Sequence, residues 1–314
     1  MRSIRAYIIL SSLYTLKTHY TQKKKKKNPL AMASNSTELS KTHQIRSLSL
    51  PSKLNPINQR IETELKKLRI KEESSNSTSE RITIGVHGLA QLYRCINQAL
   101  SLPLTQQALS LHKHEKHMGA LLKTSSSLLN VCSSIREIVH LQESVTKVLK
   151  SSIFDSKENF DIVSYIVSRK KVIRRAKDAI LALNQLNAEI LGDEDSNSHL
   201  QTMIKSVRCI NIINLSVIES SLVFLSTPVS KAKRSLISKL LNKGDQKSGN
   251  EINDVDNVLH DLVLRKDLSH DRLCFSLTKL KALLDVMKDI ANGLEYMCRE
   301  LSETKVCLMN IMSF

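Results

Sequence analysis

The stretch LCFSLTKLKALLDVMKDIANGLEYMCRELSETKVCL, Leu273–Leu308, decides the fold class. Its positions 273, 277, 280, 284, 287, 291, 294, 298, 301, 305 and 308 hold Leu, Leu, Leu, Leu, Met, Ala, Leu, Cys, Leu, Lys and Leu. This four-three repeat, broken once by Lys305, puts one apolar stripe on a helix; a strand, with its period of two, would scatter it over both faces. Ala291, Cys298 and Lys305 make a poor seam for a homodimer, so the expected packing partner is another helix of the same chain.

Upstream, the same period recurs. Ile57, Ile61, Leu65 and Leu68 predict a helix that stops in the Ser/Asn-rich Ser74–Ser79. Val86, Leu89, Leu92, Tyr93 and Ile96 predict a second over about Ile82–Leu100, broken by Ser101-Leu102-Pro103 because the residue before a proline is pushed out of the α region. Met118–Lys150 reads as one long helix through Leu121, Leu122, Leu128, Leu129, Cys132, Ile135, Val139, Val145 and Leu149. Glu158–Leu191 is expected to bury Val163, Ile166, Ile173, Ala176, Ile180, Leu183, Leu186 and Ile190, ending at Gly192 as a C′ residue. A fifth helix runs from about Ser196 to Leu225, before Thr227-Pro228, and a polar linker covers Gly244–Asn250.

Composition agrees. The 314 residues contain 7 Gly and 5 Pro, too few for the many tight turns of a sandwich or barrel and too little glycine for cofactor cradles. The fold class is all-α: an elongated bundle of long antiparallel helices over residues 54–314, preceded by a basic N-terminal tail. Residues 32–53 are rich in Ser, Thr and Asn without an apolar period and are expected to be disordered. Residues 1–31 carry Arg2, Arg5, the apolar Ala6–Leu16 and Lys23–Lys27, which imitates an anchor but is too short to span a bilayer. The favoured reading makes Met32 the physiological start and 1–31 an extension of the gene model.

The net charge of +17 is uneven: residues 1–70 hold 15 Lys or Arg against 3 Asp or Glu, leaving 32 against 27 for 71–314. With only 4% aromatics to stack on bases, nucleic acid is a disfavoured partner. The six cysteines form no CxxC pair and read as small buried hydrophobes in a reducing compartment. His112, His114 and His117 cannot all converge on one metal from a helix, and a solvated face is the expectation. Gly85-Val-His-Gly88 lacks the Lys-Ser/Thr ending of a phosphate loop and reads as entry into a helix. No catalytic, cofactor-binding or metal-binding residues are assigned, and the chain is expected not to be an enzyme.

Two segments carry interaction chemistry. Arg46-Ser47-Leu48-Ser49-Leu50-Pro51 has the R-S-x-S-x-P form that 14-3-3 proteins grip once the second serine is phosphorylated. Arg46 marks Ser49, with Ser47 as a second phosphosite, and Pro51 turns the chain out of the groove. Lys231, Lys233, Arg234 and Lys239, set among Leu236, Ile237, Leu240 and Leu241, form a basic amphipathic patch suited to an anionic membrane surface. Cys209–Val229 is apolar on average, but Asn211, Asn214 and Glu219 argue for a buried bundle helix over a membrane span.

His43–Ser52, Leu102–Leu109, Leu128-Leu-Asn-Val-Cys132 and Ser168-Arg-Lys-Lys171, in that order, resemble the plant family known as domain of unknown function 241, grouped with the BYPASS-related proteins. The resemblance covers essentially Met32–Phe314. The family's C-terminal ending is more basic than Glu303–Met312 here, and residues 1–31 have no counterpart in it. The resemblance implies a plant-specific, non-enzymatic helical protein associated with root and shoot development. Together the readings give a cytoplasmic regulatory or scaffold protein with protein partners, 14-3-3 among the candidates. The alternative is a peripheral membrane factor assisting trafficking through the Lys231–Lys243 patch.

Overall fold

The computed structural model describes residues 54–111, 116–155, 162–191, 201–227, 250–265 and 269–313. Every regular element there is a helix: α1 Leu54–Ser74, α2 Thr78–Leu100, α3 Pro103–Ser110, α4 Lys116–Asp155, α5 Ile162–Leu191, α6 Gln201–Leu225, α7 Glu251–Arg265 and α8 His270–Ser313. The tail with Arg46, Ser47, Ser49 and Pro51 lies outside the described residues, as do Lys231, Lys233, Arg234 and Lys239.

Four helices form the core. α8 packs on α4 and α2, and α6 packs on the same two, so α2, α8, α4 and α6 close a ring of neighbours. α1 lies on α2, α5 on α4 and α6, and α7 on α8.

The α4–α8 seam shows why the ring closes. On α4 the buried positions include 118, 121, 125, 128, 132, 135, 139, 142, 146, 149 and 153; on α8 they include 276, 280, 283, 287, 290, 294, 297, 301, 304, 308 and 311. Both are unbroken three-four repeats, about 50 Å long at 1.5 Å per residue, the geometry of knobs packing into holes. The stripe expected on α8 was therefore half right. Leu280, Met287, Leu294, Leu301 and Leu308 are buried as expected, whereas Leu277, Leu284, Cys298 and Lys305 are half-buried at its edge. The second row runs one residue earlier, through Ser276, Leu283, Ile290, Met297, Thr304 and Ile311. Because α8 packs on both α4 and α2 of the core, its inner face is wider than a single coiled-coil stripe, and Ala291 and Gly293 are buried as well.

Local chemistry sets the helix ends. Ser77 caps α2: its Oγ accepts from the Glu80 backbone N–H at 3.1 Å, while the Glu80 carboxylate reaches back to the Asn76 N–H at 2.9 Å. This reciprocal cap starts α2 four residues before the expected Ile82. Pro103 both stops α2 and opens α3, where its missing N–H costs no helical hydrogen bond. The long helix expected from Met118 runs five residues further, to Asp155.

Gly85 and Gly88 sit in the interior of α2, not at a loop-to-helix entry. A methyl group on Gly85 would press on Val217 of α6, one on Gly88 on Leu68 of α1, and one on Gly293 of α8 on Val86 of α2. These glycines set close helix crossings on three sides of α2.

Helix α6 contains a 23-residue stretch, Met203–Leu225, long and apolar enough to cross a membrane. Here it is packed among α2, α4 and α5, with Asn211 and Asn214 buried and bonded through Tyr93: the Tyr93 hydroxyl donates to Asn211 Oδ1 at 2.9 Å and accepts from Asn214 Nδ2 at 2.9 Å.

Candidate functional site

The unexpected feature is a buried arginine. On α5 the inward row is Ile162, Tyr165, Arg169, Val172, Ala176, Leu183 and Leu186, rotated from the expected stripe. Val163, expected inside, is 72% exposed, and Arg169 is 0% exposed. A charge at an inward position reads as the wrong face until its partners are known.

Those partners are the end of α6 and the start of α7. Arg169 Nη1 donates to the Leu225 carbonyl at 2.7 Å and Nη2 to the Thr227 carbonyl at 2.8 Å. The last carbonyls of a helix lack acceptor duty within it and carry the negative end of its dipole, so a guanidinium there satisfies both hydrogen bonding and charge. Arg169 Nε faces Asp256 Oδ2 across 3.7 Å, and the Tyr165 hydroxyl donates to Asp256 Oδ1 at 3.0 Å. Burial lifts the Asp256 carboxyl above the usual carboxylate range, against the pull of Arg169 and Tyr165. Burial likewise raises the Tyr165 phenol, which holds it as a donor.

A second contact closes the same corner. Asn250 Nδ2 donates to Thr227 Oγ1 at 2.9 Å, while Asn250 Oδ1 caps α7 by accepting from the N–H groups of Ile252 and Asn253 at 3.1 and 3.3 Å. Thr227 and Asn250, which flank 228–249, are thereby pinned together beside Arg169.

A second polar cluster joins α2 to α8. Arg94 Nε and Nη2 both donate to Glu300 Oε1, at 3.1 and 2.9 Å. Asn97 Nδ2 donates to the Glu300 carbonyl at 2.9 Å, and Thr304 donates to Asn97 Oδ1. Nearby, the Cys132 thiol of α4 faces the Cys298 thiol of α8: the hydrogen bond between them, helped by burial, pushes the Cys132 thiol up, and the same bond draws the Cys298 thiol down against the effect of burial. All six cysteines are free; Cys95 and Cys132 are buried, and Cys274 is exposed, contrary to its reading as a buried hydrophobe.

Chemically, both clusters are clamps. The Arg169 guanidinium spends its Nη donors on main-chain carbonyls and its charge on Asp256, and Glu300 is engaged from two sides by Arg94 and Asn97. Of the residues singled out from sequence, Lys170 and Lys171 of the Ser168–Lys171 run lie exposed beside Arg169. Leu128 and Cys132 are buried in the α4–α8 seam. His112 and His114 lie outside the described residues; His117 falls in the first turn of α4, its side chain not described. Among the described residues no group of three or more His, Cys, Asp or Glu is placed to hold a metal ion. Sequence reasoning missed Arg169, Tyr165 and Asp256. The signal available for them was the steps of three and four through 162, 165, 169, 172 and 176, which continue only if a charged residue is accepted inside.

The family described as Protein BPS1 has a model that matches residues 85–311. The match takes in α2 from Gly85 through nearly all of α8 and leaves the His43–Ser52 run outside it. No curated protein and no solved structure matches the chain.

Proposed function

The chain belongs to the Protein BPS1 family, the BYPASS-related family its motifs resemble, and from that premise we propose that it is a non-enzymatic plant regulatory or scaffold protein acting in root and shoot development. The observation that supports this reading is where the buried charge goes. Arg169, Asp256, Arg94 and Glu300 fix helices to one another, as suits a rigid platform that presents helix faces to other proteins. Cytoplasmic residence fits the free thiols. Affinity purification from plant tissue with mass spectrometry tests it. A small reproducible set of protein partners is the expected result; turnover of a small molecule by the purified chain would contradict it.

Within this reading the Arg46–Pro51 segment is a phospho-regulated handle for 14-3-3 proteins. A peptide of residues 44–56 phosphorylated on Ser49 should bind with micromolar or tighter affinity and its unphosphorylated form should not; equal behaviour of the two forms removes the handle.

A second reading, a peripheral membrane factor assisting trafficking, draws support from one contact. The Thr227–Asn250 hydrogen bond fixes both flanks of the segment containing Lys231, Lys233, Arg234 and Lys239 beside the Arg169 clamp.

A further inference from the structure

Arg169 faces inward, and the residues around it on α5 face out. Val163, Val167, Lys170, Arg174, Lys177 and Leu181 are all exposed. At 100° per residue they fall within an arc of about 80°, opposite the buried row of Tyr165, Arg169, Val172 and Ala176. Asp178, Lys171 and Arg175 lie beyond one edge of that arc and are also exposed, two basic residues against one acidic. The aliphatic members are bare: Val163 is 72%, Val167 61% and Leu181 64% exposed. The outer pole of this 30-residue helix thus reads, along its length, apolar, basic, apolar.

The charge is concentrated. Residues 169–178 hold six Lys or Arg and one Asp; Arg169 is spent inside on Asp256, and the other five basic residues are exposed, while the rest of 71–314 holds 26 basic against 26 acidic residues. The whole excess of this part of the chain is therefore accounted for by one helix segment. With 231–247, six basic against one acidic, also set aside, the remainder has 20 basic against 25 acidic. The positive face stands on an otherwise slightly acidic body.

We propose that the outer face of α5, with Lys170, Arg174 and Lys177 between Val163, Val167 and Leu181, docks the protein on an anionic phospholipid surface. Lysine and arginine on one helix pole meet acidic headgroups, while valines and a leucine at either end of the basic cluster enter the boundary between headgroup and acyl chain. A nucleic acid would be matched by charge alone; this arc offers no aromatic ring for base stacking, and its bare aliphatic ends would stay in water. The inference rests on the membrane reading above but places the contact on a different part of the chain.

Co-sedimentation of the full chain with vesicles tests it, using phosphatidylcholine alone and phosphatidylcholine with about one third phosphatidylserine. The wild type should bind the phosphatidylserine vesicles, weaken as salt rises, and ignore pure phosphatidylcholine. Lys170→Gln/Arg174→Gln/Lys177→Gln should lose at least about tenfold in affinity, each charge near an anionic surface counting for roughly a factor of several. These side chains are exposed, so helix content by circular dichroism should be unchanged. Val167→Ser should weaken binding by a smaller factor that salt does not alter. No binding by the wild type would overturn both the proposal and the membrane reading. Full binding by the α5 variant, with loss on changing Lys231, Lys233, Arg234 and Lys239 to Gln, would overturn the proposal and keep the membrane reading. Tighter binding to single-stranded RNA than to the vesicles, through the same residues, would also overturn it.

Discussion

Two arginines do the same job in different surroundings. Arg169 is fully buried between α5, α6 and α7 and gives its Nη donors to two main-chain carbonyls. Arg94 keeps 42% of its side chain in solvent and lays a forked contact on the buried Glu300 across the α2–α8 crossing. At the Arg94 site the glutamate keeps Asn97 when the arginine is gone, and water can reach the vacated place. At the Arg169 site, removal strands Asp256 and the end of α6 in the interior, where an uncompensated charge is most costly. The worth of a buried ion pair thus depends on what its loss leaves behind.

Replacing Arg169 by Met should have the largest effect, roughly 3–5 kcal/mol of stability lost by chemical denaturation, because it breaks a buried pair from one side. Changing Asp256→Leu as well should recover part of that loss, since both charges are then gone; a double variant no better than the sum of the singles would show the pair is not coupled. Gly293→Ala should come next, at about 1–3 kcal/mol, because its added methyl overlaps Val86 at the α2–α8 crossing. Arg94→Ala should cost only about 1 kcal/mol, half-exposed as it is. If its cost matched that of Arg169→Met, the contrast between the two sites would collapse.

A separate effect is a pH dependence outside both clamps. Burial pushes the Glu72 carboxyl up to about 7 from its ordinary 4.5, against the pull of Arg81. A carboxyl raised on folding stabilises the native state in full below its unfolded value and loses that contribution as pH rises through its folded one. Glu72→Gln should therefore match the wild type below 4.5 and become the more stable of the two above about 7. Parallel melting curves for the pair across that window would remove this assignment.

The fold was legible because leucines and isoleucines repeat every three and four residues over most of the chain, and breakers are few. The detail was hidden where polar residues occupy inward positions. Ser125, Gln142 and Thr146 interrupt the α4 stripe, and Ser276, Glu300 and Thr304 that of α8, so apolar counting shifts the α8 seam by one residue. Three of the four hydroxyls in these sets have a local remedy: Ser125, Thr146 and Ser276 donate to the carbonyl four residues back, while Thr304 gives its proton to Asn97 Oδ1 across the α2–α8 crossing. A hydroxyl that bonds its own helix is cheap to bury. Arg169 has no such local remedy; its acceptors lie 56 and 58 residues away in sequence. No window of local sequence contains the reason for its burial. Its outward neighbours Lys170 and Arg174 looked ordinary for the same reason: which pole faces solvent depends on where Arg169 points.

The most direct test of the clamp is hydrogen exchange at the last turn of α6 and the first turn of α7 in Arg169→Met, compared with the wild type. If Arg169 holds the Leu225 and Thr227 carbonyls and faces Asp256, protection should fall sharply at residues 224–227 and 252–256 while the α4–α8 seam keeps its own. Unchanged protection at 224–227, or a loss spread evenly over every helix, would contradict the account.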